Sequence, residues 1–270
     1  MAVGDYWGRG SLGGIVRFEL SSGKSTIYTR YNRPGEFLGL HFLTLCFDSK
    51  GRLWAGSRNA GLLLFDIKKN EFFEYRRIKG EDGTFATDKA VKSIIMDRSK
   101  SMWFGCWGEG ISVLHQSAQK FRRYQRFTDA QKYITENDVT AFAEDTKGYI
   151  WVSTVDGGLY RFDPRTSAFD PRPFNRTDSN AGKEIAALFC DSRDNLWIGT
   201  YSDGLYRYHV PTGQTVHYAY GTGADNVSAK RITAVTESPE GEIYISTYGG
   251  GLNIYNYSSG RLIKFLYKPG

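Results

Sequence analysis

The sequence predicts an all-β protein, and three observations predict it. Four tryptophans, Trp54, Trp103, Trp151 and Trp197, recur with Tyr244 completing the series, at steps of 49, 48, 46 and 47 residues. Each anchor carries the same flanks. Asp48, Asp97, Asp145 and Asp191 lie six residues before it, with Ser238 in the last unit; Gly61, Gly110, Gly158, Gly204 and Gly251 lie seven residues after it, each followed by Leu or Ile. Between these markers apolar and polar residues alternate in short runs bounded by turn residues, which is the period of strands rather than helices. A repeat of about 47 residues holding four such runs reads as one blade of a β-propeller.

The strands of a unit follow in order. Strand A is the run that ends at the aspartate, as in Val139 to Glu144. A tight turn follows, Asp145 to Gly148, where glycine supplies a positive φ. Lys100 and Asp194 stand at that position in two units; Asp tolerates the left-handed region, and Lys is less comfortable there. Strand B holds the anchor, which is expected to pack between neighbouring blades. The repeated glycine ends the next turn and allows a close backbone approach. Strand C begins after it, as in Leu159 to Phe162, and strand D closes the unit after a turn ending at Gly213 or Gly260, as in Thr215 to Tyr220.

One four-stranded sheet cannot bury both faces, so blades stack around an axis. The expected blades are a partial first one over 1–37, then five complete ones over 38–86, 87–135, 136–181, 182–228 and 229–270. The first offers only the strands Gly14 to Leu20 and Ser25 to Tyr31 and part of a strand B, with Trp7 at anchor spacing; AVGDYWG aligns alternatively with FGCWG. The chain is therefore expected to be part of a larger propeller, with an exposed blade edge that favours association, a homodimer being one form.

Composition narrows the function classes. The chain has 270 residues, 40% hydrophobic and 15% aromatic, enough for a sizeable core. The net charge of +6 is spread out, densest at Arg76, Arg77 and Lys79 and at Arg122 and Arg123. Such residues protect strand edges; a basic surface that attracts an acidic glycan is the sharper alternative, and no nucleic-acid partner is expected. Cys46, Cys106 and Cys190 are an odd set inside strands, expected as buried free thiols. No spacing suits a metal, and no cofactor is implied. No apolar run reaches the length of a membrane span, and the start MAVGDYWGRG is not a signal peptide.

The repeated unit D-x-x-G-x-[LIM]-W-x-G-T-x-x-x-G-[LI]-x-x-[FY]-[DH] resembles the two-component regulator propeller repeat. The match is best at Asp191 to His209 (DSRDNLWIGTYSDGLYRYH) and Asp145 to Asp163 (DTKGYIWVSTVDGGLYRFD). The Gly-His and Trp-Asp pairs of WD repeats are missing. The resemblance implies a periplasmic or extracytoplasmic sensor of a hybrid sensor kinase, with further blades and a kinase elsewhere in the parent protein and a small molecule or oligosaccharide as ligand. Met102 after Ser101, and Ser238 with Tyr244, depart from the pattern.

Candidate ligand residues follow from propeller geometry, because B-to-C turns and the entries to strand A share one face. Four residues after the anchors lie Arg58, Trp107, Val155, Tyr201 and Tyr248; just before strand A lie His41, Ala90, Asp138, Glu184 and Arg231. Aromatic rings cover the apolar faces of sugars and charged groups bond hydroxyls. Arg58, Trp107, Tyr201, Tyr248, His41, Asp138, Glu184 and Arg231 are therefore the expected binding residues, with Arg58 and Arg231 suited to a carboxylate or sulfate. No catalytic residue is expected. An enzyme of the lyase or glycosidase type would use Asp138 and Glu184 as a carboxylate pair. A protein-interaction scaffold would use the long connections Arg76 to Ala90 and Gln125 to Asp138.

Overall fold

The computed structural model describes residues 15–19, 24–28, 41–66, 69, 71–74, 89–115, 120–124, 137–155, 158–170 and 184–266. Every regular element among them is a strand, and five of the six sheets are the four-stranded antiparallel blades of a β-propeller. The chain divides into two compact units, Met1–Gln125 and Arg126–Gly270.

The first unit opens with a two-stranded sheet, β1 (Ile15–Glu19) paired with β2 (Lys24–Tyr28). A blade follows with β3 (Phe42–Phe47), β4 (Leu53–Ser57), β5 (Leu62–Asp66) and β6 (Glu71–Glu74). The next holds β7 (Val91–Met96), β8 (Met102–Cys106), β9 (Gly110–His115) and β10 (Lys120–Tyr124). The second unit has three blades in the same meander: β11 (Val139–Glu144), β12 (Ile150–Thr154), β13 (Gly158–Asp163) and β14 (Ala168–Asp170); β15 (Ile185–Cys190), β16 (Asn195–Thr200), β17 (Leu205–His209) and β18 (Gln214–Tyr218); and β19 (Ile232–Glu237), β20 (Ile243–Thr247), β21 (Gly251–Asn256) and β22 (Arg261–Phe265). The start of the first blade, including Trp7, and most of both long connections lie outside the described residues.

The anchors hold blades together in two ways. Each indole is buried. Trp54 packs with Val91, Ile94, Met102 and Phe104 of the following blade, and Trp197 with Val235, Ile243 and Ile245 of its follower. Each indole also donates its Nε1–H to the aspartate six residues earlier: to Asp48 at 2.9 Å, Asp97 at 2.7 Å, Asp145 at 2.9 Å and Asp191 at 2.7 Å. The other carboxylate oxygen accepts from backbone N–H groups of the turn, those of Lys147 and Tyr149 on Asp145 both at 3.0 Å. A buried carboxylate is tolerable only when so many donors meet it. Burial pushes the Asp48 carboxyl up, but hydrogen bonds from Trp54 and Arg52, with the Arg52 charge, hold it below the usual carboxylate range. In the last blade the Ser238 hydroxyl accepts from the N–H groups of Glu240 and Glu242 at 3.2 and 3.3 Å, so the turn survives without the aspartate.

Glycines stand where the chain needs them. Gly51, Gly148 and Gly241 close the A–B turns at positive φ, and Lys100 and Asp194 adopt the same region at 66° and 59°. Ser167 at 56° takes the place in its C–D turn that Gly213 and Gly260 take in theirs. A Cβ on Gly204 would meet the Tyr218 carbonyl oxygen at 2.6 Å, and one on Gly199 would meet Ile232 Cγ2 at 2.6 Å. The second contact lies between adjacent blades.

One feature is not foreshadowed by the alternation. Among the described residues each of the five A strands starts with a β-bulge, the register shifting between Phe42 and Thr44, Val91 and Ser93, Val139 and Ala141, Ile185 and Ala187, and Ile232 and Ala234. The cysteines carry no disulfide, but only Cys106 is buried; Cys46 and Cys190, near the end of strand A, are partly exposed and pack at the edge of the clusters around Trp54 and Trp151.

Candidate ligand-binding site

The two sequence positions chosen for the site are neighbours in every blade. The residue four after the anchor donates its backbone N–H to the carbonyl of the residue before strand A: Arg58 to His41 at 2.8 Å, Trp107 to Ala90 at 2.9 Å, Val155 to Asp138 at 3.0 Å, Tyr201 to Glu184 at 2.9 Å and Tyr248 to Arg231 at 2.9 Å. These bonds extend the A–B ladder past the bulge and form a rim of paired residues on each blade. They involve main chain only, so the side chains are free to differ.

In the first unit the rim carries His41, Arg58 and Trp107, all exposed. The bulge re-aims a side chain here: Lys92, the bulged residue of β7, places its Nζ 3.5 Å from the centroid of the Trp107 ring. A cation so close to an indole face adds about 0.5–1 kcal/mol at an exposed site.

In the second unit the rim carries Asp138, Glu184, Tyr201, Arg231 and Tyr248. Glu184 accepts a hydrogen bond from the Ser202 hydroxyl at 2.7 Å. The Arg231 guanidinium lies between two tyrosines from adjacent blades, 5.0 Å from the Tyr201 ring and 4.9 Å from the Tyr248 ring. Both rings stay exposed, Tyr201 at 38% and Tyr248 at 62%. The main chain fixes the arrangement from below. Lys230 accepts from the Gly204 N–H at 2.8 Å and Arg231 from the Tyr248 N–H at 2.9 Å, so two consecutive carbonyls tie the Tyr201 turn and the Tyr248 turn to one segment.

The Tyr201 turn has a brace of its own. Asp203 donates its N–H to the Thr200 hydroxyl at 2.9 Å, its carboxylate accepts from the Tyr206 hydroxyl, and its carbonyl accepts from His217 Nε2 at 2.7 Å. A carbonyl can only accept, so His217 carries a proton on Nε2. The His217 and Tyr206 rings stack face to face with centroids 4.1 Å apart. Burial, with the bond to Asp203, pushes the Tyr206 hydroxyl well above the usual phenol range, so it remains a donor. His217 lies on the outer strand β18, and nothing in one repeat shows that it reaches the turn of its own blade. Ser202, Asp203, Tyr206 and Lys92 are the other residues near the rim that sequence reasoning did not single out. Among the described residues no group of three or more His, Cys, Asp or Glu side chains could hold a metal ion.

The two-component regulator propeller family matches residues 133–156 and 181–202, the segments that lead through Trp151 and into the Tyr201 turn. Two of the five repeats therefore match the repeat of that family. The chain is 26% identical over 151 residues to "Histidine kinase P4" of Formosa agariphila, an alignment covering 54% of the chain and 10% of that protein. Among solved structures it resembles the extracellular domains of two hybrid two-component systems of B. thetaiotaomicron. With BT3049 the TM-score is 0.68 at 20% identity, over 83% of this chain and 29% of the other. With BT4673 it is 0.70 at 17% identity, over 97% and 34%. Virginiamycin B lyase from Staphylococcus aureus shares the fold at a TM-score of 0.67 and 14% identity, over 95% and 78%. The chain thus spans 10% of the curated relative it matches and about a third of the sensor domains it resembles. No helix among its described residues is long and apolar enough to cross a membrane.

Proposed function

We propose that the chain is a non-catalytic ligand-sensing module of a two-component signalling receptor, recognising a saccharide or similar polar ligand at its blade rims. The observation that carries this reading is the Tyr201–Arg231–Tyr248 stack: exposed aromatic surface beside a cation, on turns held rigid by main-chain bonds and by the Asp203 brace. Flat rings and fixed polar groups are what a sugar needs, apolar C–H faces for the former and hydroxyls for the latter. Tyr201 and Tyr248, with Trp107 on the first unit, supply stacking surface. Glu184 and Asp138, with His41 on the first unit, bond hydroxyls, and Arg58 has the same charge as Arg231. The likeness to sensor extracellular domains and to a histidine kinase supports the reading. On this reading the module lies on the periplasmic or extracytoplasmic side of a parent that supplies further blades and a kinase, and a homodimer is one of its forms.

The test is a glycan screen by titration calorimetry. Tyr201→Ala or Trp107→Ala should weaken the ligand found by about 1–3 kcal/mol, with little change in melting temperature, since both side chains are exposed. A ligand whose affinity is untouched by Tyr201→Ala, Trp107→Ala and Arg231→Ala together binds elsewhere and defeats the assignment. The propeller fold shared with virginiamycin B lyase motivates a second reading, a lyase or glycosidase. Turnover of the ligand that Asp138→Asn or Glu184→Gln abolishes would establish it in place of the first.

A further inference from the structure

Six arginines among the described residues lie over aromatic rings: Arg52, Arg161, Arg165, Arg193, Arg207 and Arg231. Five of them also spend their N–H donors on the protein. Arg52 bonds Asp48 at 2.6 Å, Arg161 bonds Asp170 at 3.2 Å, and Arg165 bonds Asp163 at 3.1 Å. Arg193 reaches Glu237 at 3.4 Å and the Gly241 carbonyl at 3.2 Å, and Arg207 reaches the Tyr255 hydroxyl at 2.7 Å. Arg231 alone differs. Its guanidinium carbon lies over the Tyr201 and Tyr248 rings, yet among the described residues no acceptor meets its donors. The two rings hold the guanidinium between neighbouring turns and leave its N–H donors without a protein acceptor among the described residues. The segment beneath is fixed too, by the Gly204 and Tyr248 bonds to Lys230 and Arg231. A planar fork of donors held in one orientation matches a planar two-oxygen acceptor and can bond it bidentately.

We infer that the Tyr201–Arg231–Tyr248 stack is a carboxylate subsite and that it takes the carboxylate of an acidic saccharide, a uronic acid residue. The carboxylate lies edge-on to Arg231, and the sugar ring that bears it leans on an exposed tyrosine face. The saccharide part rests on the function proposed above; the carboxylate part rests on Arg231. Ordering is already in place, so little freedom is lost on binding. Lys in place of Arg231 keeps the charge and loses both the fork and the flat stacking faces.

The experiment uses the full chain and three probes by titration calorimetry: trigalacturonate, neutral galactotriose, and benzoate as a carboxylate without a sugar. The expected result is binding of trigalacturonate at least tenfold tighter than galactotriose, weakening as salt rises. Arg231→Gln should reduce trigalacturonate affinity at least tenfold and galactotriose affinity much less, and Arg231→Lys should not restore it. Melting temperatures of both variants should match the parent, since the side chain is exposed. Equal affinity for trigalacturonate and galactotriose, trigalacturonate affinity indifferent to Arg231→Gln, or no binding of either carboxylate probe overturns the subsite. If galactotriose binds in a Tyr201-dependent way and trigalacturonate does not, the subsite fails while saccharide sensing stands. If benzoate binds through Arg231 and neither sugar does, the carboxylate subsite stands and the saccharide reading fails.

Discussion

Lys100 closes its A–B turn at a φ of 66°, where four of the five equivalent turns have Gly51, Gly148, Gly241 or Asp194. The left-handed region costs a residue with a Cβ about 1–2 kcal/mol, and glycine is free of that cost. Part of the gain is offset by glycine's larger loss of freedom on folding. Lys100→Gly should therefore stabilise the first unit by about 1 kcal/mol, read from the denaturation midpoint. This strain was legible in the sequence, because the repeat aligns Lys100 with glycines. The bond from each indole to its aspartate was only half legible. The constant spacing of six marks a relation between Asp145 and Trp151, but spacing alone does not show that the carboxylate folds back over the turn to accept Nε1–H. The Arg231 stack was legible in composition and not in geometry. Its two rings come from different repeats, and nothing in the order of residues says that a side chain between them points to both.

At the scale of the strand, the residue two places after each anchor is small, and at Gly56 and Gly199 it sets how near the next blade comes. It is Gly56, Gly105, Ser153, Gly199 or Ser246. Where it is serine the hydroxyl is used: Ser153 bonds Thr140 at 2.7 Å and Ser246 bonds Thr233 at 2.8 Å, both threonines being the bulged residue of strand A. Where it is Gly199, Ile232 fills the space, and a new Cβ would lie 2.6 Å from its Cγ2 and 2.8 Å from its Cβ. Gly199→Ala should cost about 1–3 kcal/mol by overpacking. Combined with Ile232→Ala, the loss should fall short of the sum of the two single losses, because the second change empties the space the first one fills. Additive losses in a double-mutant cycle would show that the backbone shifts instead. The bulges escaped sequence reading for a physical reason. The bulged residues Leu43, Lys92, Thr140, Ala186 and Thr233 share no chemistry, since a bulge is a property of main-chain pairing.

At the scale of the whole molecule, stability divides into terms within a blade and terms between adjacent blades. Trp151 belongs to both. It bonds Asp145 in its own blade, and it packs with Ile185, Leu188, Leu196 and Ile198 of the next. Trp151→Ala should cost roughly 3–5 kcal/mol, the range for removing a buried large aromatic. Amide exchange should accelerate over β11 to β18 and much less over β19 to β22, which are fastened separately. That fastening joins Ser192 and Arg193 to Glu237, with Tyr257 bonded to Asp191. Uniform acceleration across all three blades would mean that the second unit unfolds as one body.

The rim bonds have an implication for how such a module changes its ligand. Each joins an N–H to a carbonyl, and no side chain takes part, so the ten positions they connect are already occupied by residues as unlike as tryptophan, alanine, valine and aspartate. Selection can rewrite those positions one at a time without first disturbing the frame that displays them. A combinatorial library confined to the rim would for that reason lose few members to misfolding, and its survivors would differ in what they capture rather than in how well they hold together.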